Sequence, residues 1–411
     1  MRRPSASATT TWQRCACNGR RPAMRSRTAM SWSPESMASP IMRTCREVPR
    51  HSGFSLVEIM VGIGIAMIAA LVMMQVFAVF EGQKRTTSAG ADAQINGRIA
   101  LYALERDVRM AGYGLNLLNA LGCTVNSSYN GTASSFILAP IIITNGAGGG
   151  PDTIRVLASA KQNWSVPSRI TTDHPPEATN MFLNTTQGMA VNDFLIAYQE
   201  GKPCTLLQLT GIPNGNVQIH HQNTSPWNPP GGQNIFPQPD GYTAGALVFD
   251  IGALVDHTYS LDAGDNLLQS NFSLASNSAE TLPLASNIVS LQAQYGFDTR
   301  AGAQEDGRAD TWSDTMIDAD GNGTPGDGGD IRRIYALRLA LVARSAARER
   351  PNADGNCTIT TATSANRPKW SAGDIDVSKK PDGSARADWS CYRYKVFETV
   401  VPLRNLLWGE R

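Results

Sequence analysis

Apolar residues run almost unbroken from Ile59 to Phe80, 22 positions whose one polar side chain is Gln75. Wound as a helix at about 1.5 Å per residue, that run spans roughly 33 Å, the hydrocarbon core of a bilayer. A secretory signal has a shorter apolar region, about 7–15 residues, followed by a small-residue cleavage site. Here the chain continues as EGQKRTT, so 54–80 reads as a retained membrane helix. Beyond it the pattern turns polar but stays helical through 81–118. Leu101, Leu104, Val108, Ala111 and Leu115 recur at threes and fours, one stripe of an amphipathic helix. Arg98, Glu105, Arg106 and Arg109 fall mostly off that stripe. Gly82, Gly90 and Gly97 weaken the stretch between membrane and stripe. They either permit bending or are simply tolerated. Gly112 and Gly114 are placed to end the helix.

From 119 to 411 the pattern changes to short apolar runs between turn residues. Strands are predicted at Thr153–Leu157, Asp193–Tyr198, Thr205–Leu209, Val217–His220, Ala246–Asp250, Ile288–Tyr295, Ile334–Val342 and Phe397–Pro402. Alternation over Ile334–Val342 puts Tyr335, Leu337, Leu339 and Leu341 on one face. Gly146–Asp152, Pro226–Gly241, Asp318–Asp330 and Pro351–Cys357 read as turn-rich connections. Neither a βαβ alternation nor an internal repeat of 20–50 residues is visible. The expected class is α+β: a long N-terminal helix, half membrane and half amphipathic, packed on an antiparallel β-rich domain.

Charge divides the chain where hydropathy does. Residues 1–53 hold ten Arg, no Lys, no Asp and two Glu, a net of +8. Residues 54–411 hold 26 basic and 33 acidic groups, a net of −7. The body is therefore mildly acidic. One short basic cluster, Arg332–Arg333, is too small for a nucleic-acid partner to be expected. Arg43, Arg46 and Arg50 before the membrane helix keep that end cytoplasmic, which sends the body outward across the inner membrane.

Glu58 breaks the apolar pattern. An ionisable group at the edge of a membrane helix is costly and usually has a partner. A plainer role is to mark the helix start, where the N-terminal dipole favours a carboxylate. The residues around it, Gly53-Phe54-Ser55-Leu56-Val57-Glu58 after a basic leader and before a long apolar helix, resemble the type IV prepilin signal. The resemblance implies cleavage between Gly53 and Phe54 by a prepilin peptidase, followed by N-methylation of Phe54. Gly53 suits a tight protease subsite because it has no side chain. The new Phe54 amine could then be neutralised by Glu58 of a neighbouring subunit, each charge offsetting the other's cost in apolar surroundings. Gly62, Ala66, Ala69 and Ala70 would let such helices approach closely, although small residues are ordinary in membrane helices.

Residues 1–53 are read as a leader removed on maturation and are excluded from the fold. They are long for this signal. A start at Met42, among Met24, Met30, Met37 and Met42, would leave the 12-residue leader MRTCREVPRHSG.

Three further stretches resemble PilW-type minor pilins: RIALYALERDVRMAGYGL at Arg98–Leu115 with Cys123 nearby, LQAQYGFDT at Leu291–Thr299, and RYKVFETVVPLRNLL at Arg393–Leu407. ALRLALVARS, within Ile331–Ser345, fits the strand between the last two. Residues 120–285 carry little of the resemblance.

Cys123, Cys204, Cys357 and Cys391 lie beyond the membrane helix. Four cysteines in an oxidising compartment point to two disulfides, with three possible connectivities. Cys357–Cys391 and Cys123–Cys204 are favoured. A metal site is the rival, but no C-x-x-C spacing supports it.

Asp318-Ala319-Asp320-Gly321-Asn322-Gly323 matches the opening of a Ca2+ loop, with oxygens at alternate positions and Gly at the turn. The closing Glu is missing. Gly329 stands at the twelfth position, so Asp327 or Asp330 would have to substitute. A solvated turn is the plainer alternative, and no other cofactor is expected.

His220, His221 and His257 have no partners at ligand spacing. G-x-S-x-G, Walker, H-E-x-x-H and dinucleotide fingerprints are all missing from the sequence. A structural role is therefore expected over an enzymatic one. The expected function is a minor pilin that helps assemble and prime a type IV pilus supporting twitching motility and adhesion. Its expected partners are other minor and major pilins, the prepilin peptidase, the assembly platform and the inner membrane. A minor pseudopilin of type II secretion or an adhesive tip module are the alternatives.

Overall fold

The computed structural model describes residues 53–115, 118–161, 166–213, 217–232, 235–300, 306–361 and 366–407. The leader, with its candidate starts, lies outside the described residues apart from Gly53. The chain divides into two units, Met1–Ile68 and Ala69–Arg411. The described part of the first is the start of a helix, and every residue in it is exposed.

Helix α1 covers Leu56–Met110, 55 residues. In the second unit its apolar residues up to Phe80 are also exposed, whereas further along one face is buried through Ala89, Ala93, Gly97, Ala100, Leu104, Asp107 and Val108. The buried stripe thus begins three turns earlier than the leucine pattern indicated, and it begins with small residues. The reason is close approach. A Cβ on Gly97 would overlap the ring of Phe397, whereas Gly82 and Gly90 have open space around them. Gly97 is a packing requirement and the other two are tolerated. Gly112 (φ +74) and Gly114 (φ +69) follow Met110 in left-handed conformation and break the helix.

Among the described residues three larger sheets build the domain, with two two-stranded sheets beside them. The first runs in the order Thr132–Ile137, Thr124–Tyr129, Cys204–Gln208, Phe194–Tyr198, Leu247–Gly252, Ser168–Arg169. It departs from the expected antiparallel pattern at one place, where Thr124–Tyr129 and Cys204–Gln208 pair in parallel. The second runs Ser278–Ser286, Asn266–Ser273, Leu254–Leu261, Thr153–Ser159, Ile141–Thr144. The third runs Thr311–Ser313, Ile288–Phe297, Ile334–Arg344, Tyr394–Pro402 and is antiparallel throughout.

Ile334–Arg344 is buried on both faces, not one. Leu337, Leu339, Leu341 and Ala343 join the main core with Ala100, Leu104 and Val108 of α1. Ala340 and Val342 pack on Val289, Ile375 and Val377 in a separate cluster. Between this strand and the next, Ile375 and Val377 return to cover the far side of the sheet, with Trp370 and Trp389 packed beside them. That cover explains the nearly continuous apolar run, which a half-exposed strand would not show. A further core, around Met181, Leu195, Leu207, Ile219, Phe236 and Tyr242, backs the first sheet.

Candidate functional site

The sequence marks its chemistry at the start of α1. Gly53 precedes the helix, is exposed, and has nothing within 4 Å of a would-be Cβ. No contact in the fold therefore requires glycine there. Phe54 is 78% exposed. The Ile59 amide donates to the Ser55 carbonyl at 3.1 Å, and Glu58 lies exposed in the first turn. Gly62 and Gly64 likewise have nothing within 4 Å of a would-be Cβ. This surface is apolar, long enough to cross a bilayer and uncovered by the chain's own fold.

At its other end α1 is locked by polar contacts that the leucine pattern did not reveal. Asp107 is buried against the second sheet. Its Oδ2 accepts from Tyr259 Oη at 2.6 Å and Gln269 Nε2 at 3.2 Å, and lies 2.6 Å from His257 Nδ1. Burial by itself would raise this carboxyl's pKa. The bonds from His257 and Tyr259 and the charge of Arg106 outweigh it, leaving the pKa below the ordinary value. Asn405, of the closing L-R-N, donates from Nδ2 to the Ala111 carbonyl at 3.0 Å. In the Q-Y-G-x-D stretch, Tyr295 Oη accepts from the Ile143 amide at 2.5 Å. Gly296 makes room for Trp312, and buried Asp298 accepts from the amides of Asp306 (2.8 Å) and Gly307 (3.2 Å). These residues brace the helix and the third sheet.

Two disulfides join Cys123 to Cys204 (Cα–Cα 5.9 Å) and Cys357 to Cys391 (Cα–Cα 4.8 Å). The first sits beside the parallel strand pair. The second closes most of the segment that covers the third sheet.

Asp318, Asp320 and Asp330 each place one carboxylate oxygen within 4.8 Å of the others. Asp330 is fully buried and accepts from the amides of Ala319 (2.5 Å), Asp320 (3.1 Å) and Gly326 (2.6 Å). Asp327 is not in this group. It caps the short helix Gly328–Arg332 through the amides of Gly329 and Asp330. Asn322 bridges Asp320 (3.1 Å) and Asp327 (2.5 Å).

His221 has a partner 47 residues away. His174 and His221 approach Nε2 to Nε2 at 2.9 Å, both buried, with Phe236 against both rings. One ring must donate and the other accept, so the pair cannot keep that bond when both rings are protonated. Burial pushes His174 down to about 4 and His221 down to about 3, the charge of His174 adding to the latter. Unfolded histidines take up protons near pH 6.5. Acidification therefore favours the unfolded chain from pH 6.5 down to about 4. Asp152, raised to about 6 by burial, works in the opposite direction below pH 6. Two histidines outweigh one carboxyl, so the denaturation midpoint is expected to keep falling as pH drops from 6.5 towards 4. A midpoint constant from pH 7.5 to 5 would contradict this.

Comparison with known families gives two matches. The Type IV Pilus-assembly protein W model matches residues 255–405, and the prokaryotic N-terminal methylation motif matches residues 49–74. Comparison with curated proteins found no match. The first match takes in the third sheet with its braces to α1, and the second takes in Gly53, Phe54 and Glu58. Together they point to a structural subunit whose general associates are pilus components and the prepilin peptidase. A methylation-type signal lies on an uncovered apolar helix and the pilus-assembly match runs across the closing sheet, so the chain is similar to pilins of the PilW type at its signal and over its C-terminal part.

Proposed function

We propose that the mature chain begins at Phe54, waits in the inner membrane with its body in the periplasm, and joins a minor-pilin complex that primes type IV pilus polymerisation. The observation that carries this reading is the uncovered apolar start of α1, with exposed Phe54 and Glu58 four residues apart. In a bundle, Glu58 of one subunit neutralises the Phe54 amine of its neighbour. Burial of the helix among other helices supplies packing contacts. The open glycines Gly62 and Gly64 suit close helix approach. Twitching and adhesion follow from the filament. The match over 255–405 favours this reading over a type II secretion pseudopilin.

Mass spectrometry of the N-terminal peptide, from membranes and from sheared filaments separately, tests it. A methylated Phe54 terminus is expected in both fractions. An intact leader through Gly53 overturns the processing. A processed peptide in membranes alone shifts the role to priming without incorporation.

We also propose that Asp318, Asp320 and Asp330 bind Ca2+, with Asn322 as a neighbouring oxygen donor and Asp327 holding the loop as a cap. Three carboxylate oxygens within 4.8 Å fit a cation with ligands at about 2.3–2.6 Å. Calorimetric titration of the full-length protein is expected to give saturable heat in the roughly 0.1–1 mM range of extracellular modules. No heat at millimolar Ca2+ overturns the proposal.

A further inference from the structure

Where α1 leaves its apolar run, a groove of about 760 Å³ lies between the helix and the loop around 347–350. Ala78 and Val79, in the last apolar turn, form part of its wall, followed by Glu81 and Arg85. The opposite wall brings Arg348, Glu349, Arg350 and Arg393. We infer that this groove seats the phosphate of an anionic phospholipid headgroup while the subunit resides in the membrane.

Position is the first argument. The apolar run ends at Phe80, and Arg85 lies five residues on, about 7.5 Å along the helix. A headgroup layer extends roughly 5–8 Å beyond the hydrocarbon core. Arg85 therefore stands at phosphate depth, with Ala78 and Val79 at the acyl boundary. Charge is the second. Residues 54–411 carry a net of −7, yet four arginines and two glutamates line this groove. Arg393 is paired with Glu349 at 2.7 Å and Arg348 with Asp388 at 3.1 Å. Among the described residues, Arg85 and Arg350 have no carboxylate partner, and both are exposed. Guanidinium forks match phosphate oxygens geometrically, and basic groups close to a membrane surface favour anionic lipid. The mixture of apolar and cationic walls fits a lipid better than a free anion. The inference rests on the reading of 54–80 as a membrane span.

The test uses the full-length chain in neutral detergent, titrated with dioctanoyl phosphatidylglycerol, dioctanoyl phosphatidylcholine and inorganic phosphate. Thermal unfolding followed by tryptophan fluorescence is the readout. A saturable rise in Tm is expected with phosphatidylglycerol. Apparent affinity is expected to fall roughly thirty-fold in the Arg85→Gln/Arg350→Gln variant, about fivefold per guanidinium. Phosphatidylcholine at equal concentration should give no saturable rise. The variant's Tm without lipid should match the unsubstituted chain. If it does not, Arg350→Gln alone should still lose about fivefold and Arg350→Lys should retain most of the affinity. Unchanged affinity in these Gln variants overturns the inference, as does an equal response to phosphatidylcholine. An equal response to inorganic phosphate assigns the groove to a free anion and overturns the lipid. Alkaline carbonate extraction of cell membranes reports separately on the span. Release of the unsubstituted chain there would sink the membrane reading, whatever the lipid titration gives.

Discussion

Glu58→Ala is expected to leave cleavage after Gly53 and methylation of Phe54 intact and to remove the chain from filaments. Nothing in the fold depends on Glu58, which is exposed in the first turn of α1, so the body should be as stable as before. The loss arises between subunits. In an apolar bundle the Phe54 amine would lack its counter-charge, and breaking a buried ion pair by removing one partner costs about 3–5 kcal/mol. That is a drop of more than a hundredfold in the equilibrium for incorporation. Immunoblots of sheared filaments against membranes, with the N-terminal peptide checked for methylation, measure it. Glu58→Asp should retain part of the incorporation, because the charge remains but its reach is shorter. Normal incorporation of Glu58→Ala would take the carboxylate out of the mechanism and leave it as a helix-start residue.

The largest expected effect on folding is at Asp265. This carboxylate joins two guanidiniums: Arg386 on Oδ1, and Arg344 on Oδ2 at 3.0 Å. The Asp265 and Arg386 side chains are 6% and 3% exposed. Arg386 also donates to the carbonyls of Val377, Val289 and Lys379. It thereby ties the covering residues around 375–386 to the third sheet. Asp265→Asn keeps a residue that tolerates the left-handed backbone found there (φ +64) and removes only the charge. Two buried or half-buried cations would then face a neutral amide, at a cost of about 3–5 kcal/mol. Urea unfolding of the variant should show the midpoint shift. Hydrogen exchange should locate the loosening around 375–393. Asp265→Asn combined with Arg386→Met should recover much of the loss, since no buried charge is then stranded at 386. A midpoint unchanged by Asp265→Asn would show that the carbonyls alone satisfy Arg386.

The elements that were legible are those whose burial is local in the chain. Ile288–Phe297 and Ile334–Arg344 are long apolar strands in the centre of a sheet, and the predicted strands fall on them. Asn266–Ser273 and Ser278–Ser286 form a hairpin towards the edge of the second sheet. They are polar, and Pro283 argues against a strand in the pattern although an edge tolerates it. Strands of two or three residues, such as Ser168–Arg169 and Asn180–Phe182, are too short for any alternation to register. Asp107 was within reach. It lies three residues after Leu104 and four before Ala111, on the buried stripe itself, and a carboxylate at such a position implies buried donors. His174 and His221 offered no such sign, because their pairing depends on two loops meeting.

The sequence by itself determined the membrane-length helix, the Gly53-Phe54-Glu58 signal and the α+β class. Each rests on residue types at fixed spacing along one continuous segment, where periodicity and chain geometry suffice. Tertiary structure alone decided that Phe397 excludes a side chain at Gly97, that Asp107 meets Tyr259 and His257, and that Ile375 and Val377 cover the second face of the central strand. It also brought Arg348, Arg350 and Arg393 to the side of α1 beside Arg85. These depend on contacts between residues far apart in sequence, and only the packing of whole elements against one another places them.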